Sequence, residues 1–310
     1  MPTTPAPNLM VNSDGSVYHI AMKPENLADT VFVVGDPNRV QAFARHLSGI
    51  DHIASNREFA SVTGYYGNRR VTALSTGIGT DNCDIVLHEL DALANFDLQT
   101  RQRNPVHRRL SIVRLGTSGA IQPDVPLGSY ALTTHAVGLD NLLYFYRDWE
   151  TVTEPGLTRA FLQTAAWPAA LSNPYFVEGT PALVEALSVR AVTGMTVTAP
   201  GFYGPQGRYL RLGLADPDMV EKLRNFNHEG RRIINFEMET SAIYGLGRLM
   251  GHDTATICAV IANRATGEYM ADHHGVVADL VAYVLERLAG DPLRSGAHNA
   301  PDPGRDLVSE

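Results

Sequence analysis

Short apolar runs alternate with helix-patterned segments along most of this chain, and that alternation restricts its fold more than any other feature. Val31-Phe-Val-Val34 is a continuous apolar run of strand length, the pattern of a strand covered on both faces, and Val71-Thr-Ala-Leu-Ser75 is a second strand candidate. Segments 111–115, 130–139, 192–198, 232–236 and 256–261 read as further strands. Between them, apolar spacing predicts helices from Asp36 onward and over 82–95, 157–172, 181–189, 217–229, 240–250 and 274–288. Strands alternating with helices predict an α/β fold with a parallel or mixed sheet. Nothing in the order reads as a repeat or a linker, so a single domain is expected over 17–290. The polar, proline-rich stretches at 1–16 and 291–310 are expected to be a disordered lead and a flexible tail.

Composition narrows the function classes. A chain with 44% hydrophobic and 19% charged residues can fill a sizeable core. Its net charge of −8 lacks the basic footprint of a nucleic-acid binder, so small molecules are the expected partners. The two cysteines, Cys83 and Cys258, lie in apolar stretches, which predicts buried free thiols in a reducing compartment and a cytoplasmic protein. No apolar run reaches the length of a membrane span, and the first residues lack the charged and apolar regions of a signal peptide. Neither a Gly-x-x-x-x-Gly-Lys phosphate loop nor a Gly-x-Gly-x-x-Gly fingerprint is present. There is no His-Glu-x-x-His and no close Cys/His set, so no metal or nucleotide cofactor is expected.

Polar residues recur where the predicted strands end. In Gly35-Asp-Pro-Asn-Arg39, Asp36 suits a helix N-cap and Pro37 the first helical position, which puts Arg39 on the first turn. A helix N-terminus offers free N–H groups and partial positive charge to an anion. A plain turn with an exposed arginine fits the same residues. Arg114 sits among apolar neighbours before Gly116-Thr-Ser-Gly119, read as a turn; a buried charge needs a partner, either a bound anion or an internal salt bridge. Glu237 and Glu239 are two apart at a strand end, so they are expected to point to opposite sides and only one to enter a site. Loop 200–209 surrounds Gln206 and Arg208 with glycines, prolines and aromatic faces, which suits a planar polar ring held by edge and face. Asn263 and Arg264 close the last strand. Ligands of open α/β sheets bind outside the carboxyl ends of strands, so these groups predict one convergent pocket.

Taken in order, Gly35-Asp-Pro-Asn-Arg39, Ser55-Asn-Arg-Glu-Phe59, Ser75-Thr-Gly-Ile-Gly79, Arg114-Leu-Gly-Thr-Ser-Gly-Ala120, Asn235-Phe-Glu-Met-Glu239 and Asn263-Arg264 resemble the nucleoside phosphorylase family. The loop Phe202-Tyr-Gly-Pro-Gln-Gly-Arg-Tyr209 is similar to that of the uridine-cleaving members. The resemblance runs from about His19 to residue 288. It implies a three-layer α/β/α fold with a central mixed, partly barrel-like sheet, and phosphorolysis of a nucleoside to free base and ribose 1-phosphate. Phosphate is then a co-substrate held by Gly35, Arg39, Arg114 and Thr117, with Arg57 from a neighbouring subunit. Met238 and Glu239 would contact the ribose, together with His19 of the neighbour. Gln206 and Arg208 would read the base, with Phe202 stacking on it and Gly119 and Arg264 nearby. Arg39, Arg114, Thr117 and Glu239 would be the catalytic set. The implied assembly is a homo-oligomer with shared sites, a dimer or a hexamer built of dimers.

The sequence departs from the family in places. Pro205 stands where a glycine usually precedes the loop glutamine. Some members hold a potassium ion between subunits with a glutamate and a serine; Glu58 matches the glutamate, making it the candidate ligand of a monovalent cation, and Asn82 replaces the serine. Segment 98–109 is longer than in simple bacterial members and is expected to be a solvated loop. A purine nucleoside phosphorylase or nucleosidase on the same fold is the nearest alternative, but those relatives carry an aspartate near the position of Asn263. A non-catalytic nucleoside-binding protein is the alternative of another class.

Overall fold

The computed structural model describes residues 4–290. Ten strands longer than two residues lie among them. They are β1 (Thr30–Val34), β2 (Ser48–Asn56), β3 (Phe59–Tyr66), β4 (Arg69–Ser75), β5 (Ser111–Ala120), β6 (Tyr130–Gly138), β7 (Tyr175–Glu178), β8 (Ala191–Thr198), β9 (Arg231–Glu237) and β10 (Asp253–Asn263). The helices are α1 (Pro37–Ala44), α2 (Thr80–Asn95), α3 (Pro155–Ala165), α4 (Pro181–Leu187), α5 (Met219–Asn225), α6 (Thr240–Leu249) and α7 (His274–Ala289).

The strands form one mixed sheet that closes on itself at one end. β9 pairs β8, β8 pairs β6, β6 pairs β10 and β10 pairs β5. β5 then returns to β9 through Asn235 opposite Ala120 and Phe236 opposite Gly119. These strands make a small barrel, and β1, β4, β3 and β2 extend from β5 as an open sheet. The barrel interior is filled at one end by Ala120, Ala131, Ile234 and Val260, with Val192 against them, one side chain from each strand of the ring.

Alternation along β1 shows why helices cover both faces. Val31 and Val33 join a cluster with α2 and α6, through Cys83, Val86, Leu87, Ile243 and Leu246. Phe32 and Val34 join another with α1 and α7, through Val40, Phe43, Val277, Leu280 and Val284. This is the α/β/α arrangement with a mixed, partly barrel-like sheet that the family resemblance implied. No helix among the described residues is long and apolar enough to cross a membrane.

Several local expectations are corrected. Within residues 4–16, expected to be a disordered lead, Leu9 belongs to the core, Val11 pairs Val17, and Asn12 Nδ2 donates to Ser16 Oγ and Val17 O at 3.0 Å each, while most of the other residues are exposed. The tail over 291–310 lies outside the described residues. The helix expected over 157–172 spans Pro155–Ala165 and stops at Ala166, which has φ 43°. The helix over 217–229 is only Met219–Asn225, because Asn227 and His228 pair back onto β9. The turn expected at 116–119 is strand, since β5 runs unbroken to Ala120 beside β10. Strands β2 and β3 escaped the sequence reading. β2 is mostly exposed, so it carries no continuous apolar run.

Candidate active site

A pocket of ≈ 800 Å³ opens where β1, β4, β5, β9 and β10 end, lined from Gly35 to His273. On one wall, β1 passes through Gly35 into α1. Asp36 accepts from Asn38 N at 2.9 Å, Pro37 starts the helix, and Arg39 follows on its first turn. A Cβ on Gly35 would lie 3.5 Å from Gly77 O, so glycine lets the ends of β1 and β4 come close. Arg39 Nη2 reaches Thr117 Oγ1 of β5 at 3.5 Å. Burial first, and the charge of Arg114 second, hold the Arg39 guanidinium below the ordinary arginine range. Two desolvated guanidinium groups facing one cavity favour an anion between them.

Arg114 is buried in the middle of the sheet, between Val33 of β1 and Thr256 of β10. Gly116 makes room for it, because a Cβ there would land on the Arg114 guanidinium. Its Nη1 lies 3.3 Å from Cys258 Sγ and 3.4 Å from Glu237 Oε2, and its Nη2 pairs with Glu239 Oε2. Burial alone would lower its pKa, but Glu239 and then Glu237 outweigh burial and hold it above the usual range. Burial also pushes the Glu239 carboxyl up, against the pull of Arg114. Its Oε1 accepts from Gly79 N at 2.9 Å.

The two glutamates correct the expectation that only one enters the site. β9 ends at Glu237, and Glu239 is the N-cap residue of α6, with φ −135° and ψ −24°. Strand alternation therefore stops before Glu239, and both carboxylates turn toward Arg114.

The opposite wall is the loop after β8. Gly204–Gln206 makes one 3-10 turn, and Gly207 closes it at φ 67°. Gln206 is buried, and its Oε1 accepts from Arg208 Nη1. The Arg208 guanidinium also donates to Phe202 O at 2.9 Å and stands 3.9 Å from the centre of the Phe202 ring. A Cβ on Gly119 would lie 3.9 Å from Arg208 Nη2, so Gly119 backs this wall. Arg264 is not in the lining; its Nη1 donates to Gln206 O and its Nη2 to Gly207 O at 3.3 Å, so it braces the loop from behind. Asn263 also faces away, its amide donating to Gln122 O and Val125 O at 2.9 Å each.

Met238 and Glu58 join the lining, the latter beside Asn82. Gly77, at φ 74°, carries no side chain, and a Cβ there would strike the Asn82 amide and lie 3.0 Å from Glu58 Cγ. No group of three or more His, Cys, Asp or Glu residues able to hold a metal exists among the described residues. His19 and Arg57 are not in the lining. His19 Nδ1 bonds Glu89 Oε1 at 2.6 Å, and its carbonyl accepts from Asn56 Nδ2 at 2.8 Å. Arg57 is exposed at φ 55° in the β2–β3 turn, directly after Asn56.

The sequence reading missed the wall formed after β10. Tyr269, Met270 and His273 line the pocket, and His273 Nδ1 is buried with no hydrogen-bond partner among the described residues. The adjacent pair His273-His274 was visible in the sequence, but only its position just before α7 could have signalled a pocket residue.

Residues 29–290 match the phosphorylase superfamily. The chain belongs to that superfamily. Within it, the chain is 31% identical over 261 residues to a protein named uridine phosphorylase from Thermococcus kodakarensis, covering 83% of this chain and 80% of that one. It is 28% identical over 259 residues to the uridine phosphorylase of Haemophilus influenzae, covering 81% of this chain and 88% of that one. A solved superfamily structure, the Trypanosoma brucei nucleoside phosphorylase described as showing uridine phosphorylase activity, superposes with a TM-score of 0.83 at 29% identity, covering 91% of this chain and all of that one.

Proposed function

We propose that this chain is a uridine phosphorylase, cleaving uridine with phosphate to uracil and ribose 1-phosphate. The observation that carries the reading is one pocket with Arg39, Arg114 and Thr117 on one wall and Gln206 and Arg208 on the other, with Glu239 between them. The arginine wall binds the phosphate nucleophile through charge-assisted contacts and fixes it for attack at the anomeric carbon. As the glycosidic bond lengthens, positive charge grows on the sugar and negative charge on the base. Glu239 accepts hydrogen bonds from ribose hydroxyls and favours the cationic sugar. Phosphate oxygen forms the new bond to carbon, and the electron pair of the broken bond leaves on the base, where donors from Gln206 and Arg208 stabilise it. No covalent enzyme intermediate is required.

Uracil presents two carbonyl acceptors flanking one N–H. A carboxamide oxygen has two lone pairs, so Gln206 Oε1 can serve Arg208 and the ring N–H together, while its NH₂ donates to a carbonyl. A purine would need an acid near Asn263, whose amide is committed to two backbone carbonyls.

The exposed Arg57 and the half-buried His19, whose carbonyl accepts from Asn56 beside Arg57, support a homo-oligomer, a dimer or hexamer, in which each completes a neighbour's pocket. Glu58 beside Asn82 is the candidate place for a monovalent cation. Two buried free cysteines support a cytoplasmic location. A nucleoside panel with and without phosphate, followed by product identification, tests the function. Uridine consumption that is equal in phosphate-free buffer would sink it.

A further inference from the structure

Glu237 is a pocket carboxylate for which the reaction above has no direct use. Its Oε1 accepts from Thr198 Oγ1 at 2.6 Å and from Thr240 N at 3.1 Å. Its Oε2 accepts from Glu239 N at 2.8 Å and Thr240 N at 2.9 Å, and lies 3.4 Å from Arg114 Nη1. Thr198 Oγ1 in turn accepts from Ser241 N at 2.9 Å. The first N–H groups of α6, from Glu239 through Ser241, thus all end on Glu237 or on the hydroxyl bonded to it. These contacts occupy the lone pairs of the carboxylate, leaving none for a sugar hydroxyl. Its influence on a ligand must pass through the groups it holds.

We propose that Glu237 is a positioning residue: one carboxylate fixes both the first turn of α6, which carries Glu239, and the guanidinium of Arg114, so that the ribose-facing and phosphate-facing groups converge on one point. The inference rests on the functional reading above for what those groups bind. Its geometry needs a true carboxylate. A glutamine of the same shape has one acceptor oxygen and an NH₂ that must face either Arg114 or the α6 N–H groups, donor against donor. Thr198 is the second half of the device, because its hydroxyl aims Oε1 and receives Ser241 N.

Glu237→Gln, Thr198→Val and Thr198→Ser test it. The readouts are kcat, KM for phosphate and for uridine separately, and the shift in Tm produced by inorganic phosphate alone. In Glu237→Gln, KM for phosphate should rise about tenfold or more and kcat should fall, with the phosphate-induced Tm shift reduced. Thr198→Val should move the same quantities in the same direction by less, and Thr198→Ser, which keeps the hydroxyl, should restore them. A lowered Tm in Glu237→Gln and Thr198→Val with unchanged KM, kcat and phosphate shift makes Glu237 a structural cap and overturns the proposal. If Glu237→Gln does not fold, the two Thr198 variants decide by the same quantities. If the native protein is stabilised by phosphate but does not cleave uridine, the functional reading fails while the phosphate shift still tests the positioning. Absence of both cleavage and stabilisation refutes both.

Discussion

The backbone N–H of Gly79 donates to the Glu239 carboxylate at 2.9 Å, joining residues 160 apart in sequence. Gly79 stands at φ 100° before α2, and a Cβ there would come within 2.7 Å of Asp81 Oδ1. Gly79→Ala should therefore strain the turn by about 1–3 kcal/mol and shift the donor off Glu239. The expected outcome is a lower Tm and a kcat reduced about tenfold, read by thermal melts and steady-state kinetics. Native kinetics in the alanine variant would show that this donor has no part in the site.

The two arginines should behave differently. Arg39 is only partly buried, so Arg39→Ala should weaken phosphate use by about tenfold or more with little change in Tm. Arg114→Ala would leave Glu237 and Glu239 buried without their cation, a loss of about 3–5 kcal/mol in stability on top of lost phosphate use. Phosphate titrations and melts on both variants check this. Equal Tm losses would mean that Arg39 is also a structural ion pair.

Base choice should follow the loop. Cytosine sets an amino donor where uracil has an acceptor and lacks the ring N–H, leaving buried groups unpaired at about 1–3 kcal/mol each. Uridine should exceed cytidine, inosine and adenosine in kcat/KM, and Gln206→Ala should depress uridine turnover far more than phosphate binding. Inosine or adenosine as the best substrate would refute the assignment of this loop.

Shared sites predict rescue between inactive chains. Arg57→Ala and Glu239→Ala chains, mixed and allowed to exchange subunits, should regain activity because one mixed site keeps both native residues. No regain after exchange is confirmed by mass would place Arg57 outside the site.

The thiols provide a pH test. Cys83 and Cys258 are fully buried, and burial pushes the Cys258 thiol up to about 12, against the pull of Arg114. A thiol-reactive dye should label neither in the folded protein and both after denaturation. A raised thiol pKa means that the folded state holds a proton which the unfolded chain releases earlier. This contribution to stability is complete below about 9 and is lost as pH rises toward about 12. Cys258→Ala should flatten that part of the stability curve.

The sheet core was legible because β1, covered on both faces, carries the unbroken apolar run Val31–Val34, and β4 keeps Val71, Ala73 and Leu74 around a buried Thr72. The end of β1 was legible too, since Gly35 breaks its apolar run, whereas Arg114, expected near a strand end, lies inside β5. Other features depended on distance across the fold. β2 is mostly exposed, and the buried run of β3, Ser61-Val-Thr-Gly64, is polar or glycine at all but one position. Gly116 read as a turn because its role is to clear space for Arg114, which only the folded chain reveals. Glu237 read as a rival of Glu239 because the alternation rule was extended across a strand-to-helix junction. Residues 4–16 looked disordered by composition, yet Leu9 finds a place in the core.

The ring of β5, β10, β6, β8 and β9 has a consequence for how the protein is made. β10 is the last of these strands to leave the ribosome, yet it sits between β5 and β6, which are among the first. Until residues 253–263 are synthesised, both neighbours present bare edges, the kind of surface on which unfinished chains associate. A chain cut just before Asp253 would keep Arg39, Arg114, Gln206 and Glu239, and would still lack the stave that closes the barrel. Premature termination should therefore leave aggregates, with no partly working enzyme among them.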